Sequence, residues 1–137
     1  MSKRVWTGTM RRLHPARGPG KILPAVHFGL LLQSLGLRDR FVTEFEFAKP
    51  ERKFRADFAD VTSKILVEVE GGICARQTGA HVRGKHYQSD CVKYNLATTL
   101  GWRVLRYTTV ESMRTFESDY RTILDADRKE TEAEHGG

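Results

Sequence analysis

Apolar positions along this chain follow two rhythms. From Ala25 to Leu35 they are almost continuous, and Gly36 follows. A run of that length closed by a glycine predicts a buried helix. From Phe41 to Phe47 the period becomes two, with Phe41, Thr43, Phe45 and Phe47 alternating against Val42, Glu44 and Glu46, which predicts a strand. Lys49-Pro50-Glu51 reads as a turn into a second alternating run, Phe54 to Ala59. Asp60 to Lys64 supplies the next turn, and Ile65 to Gly71 forms a third strand. Gly71 to Gly84 is polar and punctuated by glycine, so a loop is expected there.

Helical spacing returns from Lys85 to Leu100. Cys91, Tyr94, Ala97, Thr98 and Leu100 can form its buried side, packed in the core, and His86, Asp90 and Lys93 lie on an adjacent stripe at i, i+4 and i+7. Gly101 ends that helix, and Trp102 to Thr108 reads as a fourth strand with Val104 inward and its arginines outward or at an edge. Trp102 and Tyr107 bracket the apolar strand and are expected in the core. Met113, Phe116, Tyr120, Ile123 and Leu124 share one face of a final helix over Glu111 to Asp127. The order is helix, three strands, helix, strand, helix. Short turns make the first strands antiparallel neighbours, and a helical crossover returns the fourth to a parallel position. The expected class is α/β, a mixed sheet flanked by helices. The expected organisation is an irregular basic arm over 1–24, one folded unit over 25–127, and a frayed polar tail over 128–137.

At 137 residues the chain is long enough for a single core. No apolar run approaches a membrane span, and no apolar stretch follows the basic N-terminal residues as in a signal peptide. Cys74 and Cys91 form neither a disulfide framework nor a zinc pattern, so both are expected as reduced thiols in a cytoplasmic protein. A formal net charge of +6 suits a polyanionic partner. Its distribution adds to that: Lys3, Arg4, Arg11, Arg12, Arg17, Lys21 and Arg38 precede the first acid, Asp39. Asp125, Asp127, Glu130, Glu132 and Glu134 dominate the other end. A basic arm can neutralise phosphates regardless of sequence, which points to DNA; a solvated basic tail accounts for the same residues.

The candidate chemistry lies between Phe54 and Gly72. Asp57 stands on the second strand, and Glu68 and Glu70 stand on the third, where positions two apart point the same way. Two glutamates on a strand whose neighbours are apolar are costly unless neutralised. Mg²⁺, with Mn²⁺ as a substitute, is a natural counter-ion, since it is held by one or two carboxylates together with water and substrate phosphate. A solvated acidic strand face without metal accounts for the same pattern.

Asp57, the ten residues after it, and Glu68-Val69-Glu70-Gly71-Gly72 resemble the core of the PD-(D/E)XK nuclease superfamily. They look most like small phage and bacterial endonuclease-like domains related to very-short-patch repair endonucleases. His81-Val82-Arg83-Gly84, Asp90 to Asn95 and Leu100 to Tyr107 continue the match, which covers roughly Thr43 to Thr108. The resemblance implies a restriction-endonuclease-like αβββαβ core and Mg²⁺-dependent hydrolysis of DNA phosphodiesters. It implies Asp57 and Glu68 as metal ligands, the Val69 carbonyl as a third, and Glu70 as a second-metal ligand or general base. Glu70 departs from the superfamily pattern, because it occupies the usual lysine position.

Lys93 is the candidate replacement, since a helix packed on the sheet can project an ammonium toward the carboxylates; a surface pair with Asp90 is the alternative. Arg11, Arg12, Arg76, His81, Arg83 and Lys85 are the candidate DNA contacts. Glu44 can join the acidic cluster or form a solvated pair with Glu46. Without a helix-turn-helix or zinc finger for base readout, selectivity for branched or mismatched DNA is expected over a fixed sequence. Resolving a four-way junction would require a symmetric homodimer. A non-catalytic DNA-binding module with the same fold is the second function class, and the three acids facing a polyanion argue against it. If the chain is phage-encoded, its compartment is the bacterial host cytoplasm.

Overall fold

The computed structural model describes residues 22–50, 52–70 and 80–136, with the backbone alone over 80–87. Helix α1 spans Pro24–Ser34, and strands β1, β2 and β3 span Val42–Glu46, Arg55–Asp60 and Ile65–Val69. Helix α2 spans Ala80–Thr99, strand β4 Arg103–Tyr107 and helix α3 Phe116–His135. Short 3₁₀ turns at Arg38–Arg40 and Ser112–Thr115 lead into β1 and α3. The four strands form one sheet in the order β1-β2-β3-β4. β1, β2 and β3 are antiparallel neighbours, and β4 lies parallel to β3. This is the mixed α/β arrangement expected from the alternation of periods. Among the described residues no helix is long and apolar enough to cross a membrane.

Two glycines stop helices by the same device. Gly36 (φ +70°) follows α1 and Gly101 (φ +84°) follows α2, each in the left-handed region that a side chain disfavours. The Leu37 N–H then donates to the Leu32 carbonyl at 2.8 Å, and the Trp102 N–H donates to the Ala97 carbonyl at 2.9 Å. These six-residue closures satisfy carbonyls that the helix ends would leave unpaired. At the other end of α1, Pro24 brings a preset φ and no N–H to leave orphaned.

The sheet carries a separate core on each face. On one side α1 and α3 bury Phe28, Leu32, Phe41, Phe58, Ile65, Val67, Tyr107, Phe116 and Tyr120. Phe28 sits at its centre, 4.8 Å from the rings of both Phe58 and Phe116. On the other side Phe47, Ala56, Ala59, Leu66, Ala97 and Trp102 pack together beneath α2. Trp102 and Tyr107 are both buried, as expected. One buried carboxylate ties the first core to the β2–β3 turn. Asp60, 1% exposed, accepts from Tyr120 Oη at 2.6 Å, Arg40 Nη2 at 3.2 Å and the Ser63 N–H at 3.2 Å.

Three expectations need correction. The alternation through β1 breaks at Glu44, whose φ is +50°. Phe41 consequently joins the α1/α3 core, whereas Phe45 and Phe47 pack on the α2 side. Glu44 is exposed, 3.8 Å from Arg55, and Glu46 lies 2.7 Å from Lys49, so neither joins the Asp57 group. Helix α2 begins at Ala80 instead of Lys85, which moves His81 and Arg83 from the expected loop onto helical backbone. Helix α3 continues to His135 through the stretch expected to fray. Its outer half is rich in Glu and Ala, good helix formers. Arg103 also clamps α3 to the sheet, donating to both Asp127 oxygens, one of them at 2.8 Å. The basic arm lies outside the described residues up to Lys21.

Candidate functional site

The β2–β3 register pairs Asp60 with Ile65, Ala59 with Leu66 and Phe58 with Val67. One step further along this register, Asp57 stands opposite Glu68. The two side chains project on the α2 side, like Leu66 two residues before Glu68. The backbone ladder between these strands ends there, and the next donor, the Val69 N–H, bonds to Asp57 Oδ2 at 2.7 Å. Asp57 is therefore fixed by the backbone of the strand carrying Glu68.

Glu68 is 7% exposed. Its Oε1 accepts from Lys93 Nζ at 2.7 Å, with both side chains largely buried. Burial pushes the Glu68 carboxyl above its ordinary range. The hydrogen bond and charge of Lys93 oppose the rise, and the negative charges of Asp57 and Glu70 add to it. Helix α2 thus delivers Lys93 to Glu68, and Lys93 bonds Glu68 instead of pairing with Asp90.

Glu70 follows β3, and its N–H extends the pairing with β4 by donating to the Tyr107 carbonyl at 2.8 Å. Its side chain turns to Arg106, which donates from Nε at 3.1 Å and also from Nη2. The Arg106 guanidinium lies 4.3 Å from the centre of the Tyr94 ring. Tyr94 is half-buried, and burial first, then the Glu68 charge, holds its phenol protonated well above the ordinary range. Arg106 and Tyr94 are members of this site that the sequence reading placed elsewhere, one outward and one in the core. A signal for Arg106 was present: it follows Val104 by two residues, and Val104 packs toward α2.

The structure brings Asp57, Glu68, Glu70 and Lys93 to the end of the sheet where β3 and β4 terminate. His81, Arg83 and Lys85 lie in the first turns of α2, whose side chains are outside the described set, and Arg11, Arg12 and Arg76 lie outside it altogether. Among the described residues no three acidic, histidine or cysteine side chains form a metal cage. The donor set that remains is a pair. Asp57 and Glu68 each spend one oxygen on Val69 or Lys93, and their second oxygens make no hydrogen bond to another described residue. Two hard carboxylate oxygens side by side, one on a group burial makes reluctant to ionise, fit a small divalent cation completed by water and phosphate. Val69, between Glu68 and Glu70, is the residue whose carbonyl would complete such a set.

The fold and site define a mixed α/β protein with a carboxylate pair and an internal lysine at one end of its central strands. No family model, curated protein or solved structure matches the chain.

Proposed function

We propose that the chain is a metal-dependent DNA endonuclease of the PD-(D/E)XK type, with a restriction-endonuclease-like core. The observation that carries this reading is the group formed by Asp57, Glu68 and Lys93: two facing carboxylates on adjacent strands, with an ammonium 2.7 Å from one of them. In the superfamily the lysine comes from the strand; here the same charge arrives from α2.

Bound Mg²⁺ supplies Lewis acidity toward the phosphoryl oxygen and lowers the pKa of water. Asp57 and Glu68 would hold the ion, the first oriented by the Val69 amide and the second by Lys93. Lys93 would neutralise charge growing on a phosphate oxygen, which lowers the barrier when that charge is larger in the transition state than in the substrate. Glu70, anchored by Arg106, would orient a water or accept its proton. The selectivity we propose is for branched or mismatched duplexes, since the sequence carries no helix-turn-helix or zinc-finger pattern, and a homodimer would supply the second site for a four-way junction.

The test is a cleavage panel of single-stranded, duplex, nicked, flapped, mismatched and four-way DNA with Mg²⁺ or Mn²⁺. Asp57→Asn and Glu68→Gln should abolish cleavage and retain DNA binding. Full activity in either variant at saturating Mg²⁺ removes the proposal. Binding without cleavage on every substrate would instead support a non-catalytic module, in which Lys93 and Arg106 are permanent counter-ions.

A further inference from the structure

The same end of the sheet carries a group of cations that the carboxylate site does not use. The β1–β2 connection starts after Glu46 and ends before Arg55, residues paired across the two strands. Asp57 is two residues into β2, so this connection borders the carboxylate pair. Lys49, Arg52, Lys53 and Arg55 all lie exposed along it. Lys49 is 2.7 Å from Glu46 and Arg55 is 3.8 Å from Glu44. Arg52 and Lys53 make no ion pair to any other described residue.

The connection is anchored to the protein body. The Arg52 N–H donates to the Ala48 carbonyl at 3.0 Å. Phe54 stacks on the buried Phe47, with ring centres 6.4 Å apart, and the Arg52 guanidinium lies 5.9 Å from the Phe54 ring. An arginine braced on an aromatic ring loses less freedom when it meets an anion than one on a free stem. At the far end of the sheet Arg103, the first residue of β4, holds Asp127, and α3 continues with Arg128, Lys129, Glu130, Glu132 and Glu134. The cations of the connection thus border the carboxylate pair, and Arg128 and Lys129 are remote from it.

We propose that Arg52 and Lys53, flanked by Lys49 and Arg55, form a surface that grips the sugar-phosphate backbone of duplex DNA beside the carboxylate pair. This rests on the nuclease reading for its choice of partner. Strands lie about 4.8 Å apart, so the β1 edge is roughly 10 Å from the strand carrying Glu68. Successive phosphates on one DNA strand advance about 3.4 Å along the axis. The surface therefore engages phosphates flanking the one that faces Glu68, which gives the enzyme a hold on duplex beside its cleavage point.

The experiment measures binding of the full chain to a fluorescein-labelled duplex in Ca²⁺ across a salt series. It compares the parent, Arg52→Gln/Lys53→Gln, and the control Arg128→Gln/Lys129→Gln on α3. Each lost phosphate contact lowers the log-log salt slope by about 0.9, so the first variant should lose about 1.8 of slope and roughly thirtyfold in affinity at about 0.15 M salt. The control should match the parent. Parental binding with an unchanged slope in the first variant overturns the surface and leaves the nuclease reading standing. A reduced slope with no cleavage of any substrate by the parent keeps the surface and removes the nuclease. A parent that binds no duplex at any salt overturns both.

Discussion

Replacing Lys93 by methionine keeps most of the side chain's apolar length and removes its charge. Glu68, only 7% exposed, then stays in place without its counter-ion. Removing one partner of a buried pair costs about 3–5 kcal/mol, because the remaining charge is uncompensated. The loss should depend on pH in a defined direction. Glu68 already ionises above its ordinary 4.5 because of burial, and Lys93 is what restrains the rise. Its proton is held more tightly in the folded chain than in the unfolded one, so stability falls as pH climbs from 4.5 to the folded value and levels off above it. Without Lys93 the folded value moves higher, and the falling range widens. Urea denaturation at about pH 5 and about pH 8 should therefore show a small deficit for Lys93→Met at the lower pH and the full deficit at the higher. Adding Glu68→Gln should recover most of the loss. A deficit equal at both pH values, or a double variant no more stable than Lys93→Met, would refute the assignment of Lys93 as the counter-ion of Glu68.

Mg²⁺ should stabilise the parent by about 2.7 kcal/mol at a hundredfold excess over its dissociation constant; calorimetry should show that gain lost in Asp57→Asn. Single-turnover cleavage by Lys93→Ala should fall much further than its DNA affinity, and a parental rate would make the lysine purely structural. Tyr120→Phe removes the 2.6 Å hydrogen bond to buried Asp60 and should cost about 1.5–3 kcal/mol in urea denaturation, a bond to a charged group being worth that much. Phe28→Ala, at the centre of the α1/α3 core, should cost about 3–5 kcal/mol by the same measurement.

Much of the architecture was legible because hydrophobic period and glycine placement act locally. Gly36 and Gly101 announced the helix ends, and the switch from period two to helical spacing gave the order of elements. The turn of β1 at Glu44 was hidden, since a positive φ at glutamate is set by packing on both sides of the sheet and not by residue preference. The outer half of α3 has no apolar stripe to read. Its helix rests on intrinsic propensity, on pairs such as Asp125 with Arg128 at 3.2 Å, and on the distant clamp from Arg103. In the site, Asp57, Glu68 and Glu70 were found by alternation, and Lys93 as the candidate for the lysine that the family resemblance leaves missing at Glu70. Arg106 was missed because its partner is 36 residues away and only the parallel pairing of β3 with β4 brings them together.

The bond from the Val69 amide to Asp57 makes one backbone proton a reporter for the site. Everywhere else in β3 the amides answer to neighbouring strands, and their resonances register the sheet as a whole. This one answers to a carboxylate whose other oxygen makes no hydrogen bond to another described residue. Adding a divalent cation should shift the Val69 amide resonance and alter its exchange with solvent before any substrate is present. A single nitrogen-15 spectrum could then follow occupancy of the carboxylate pair without a label on DNA or a cleavage assay.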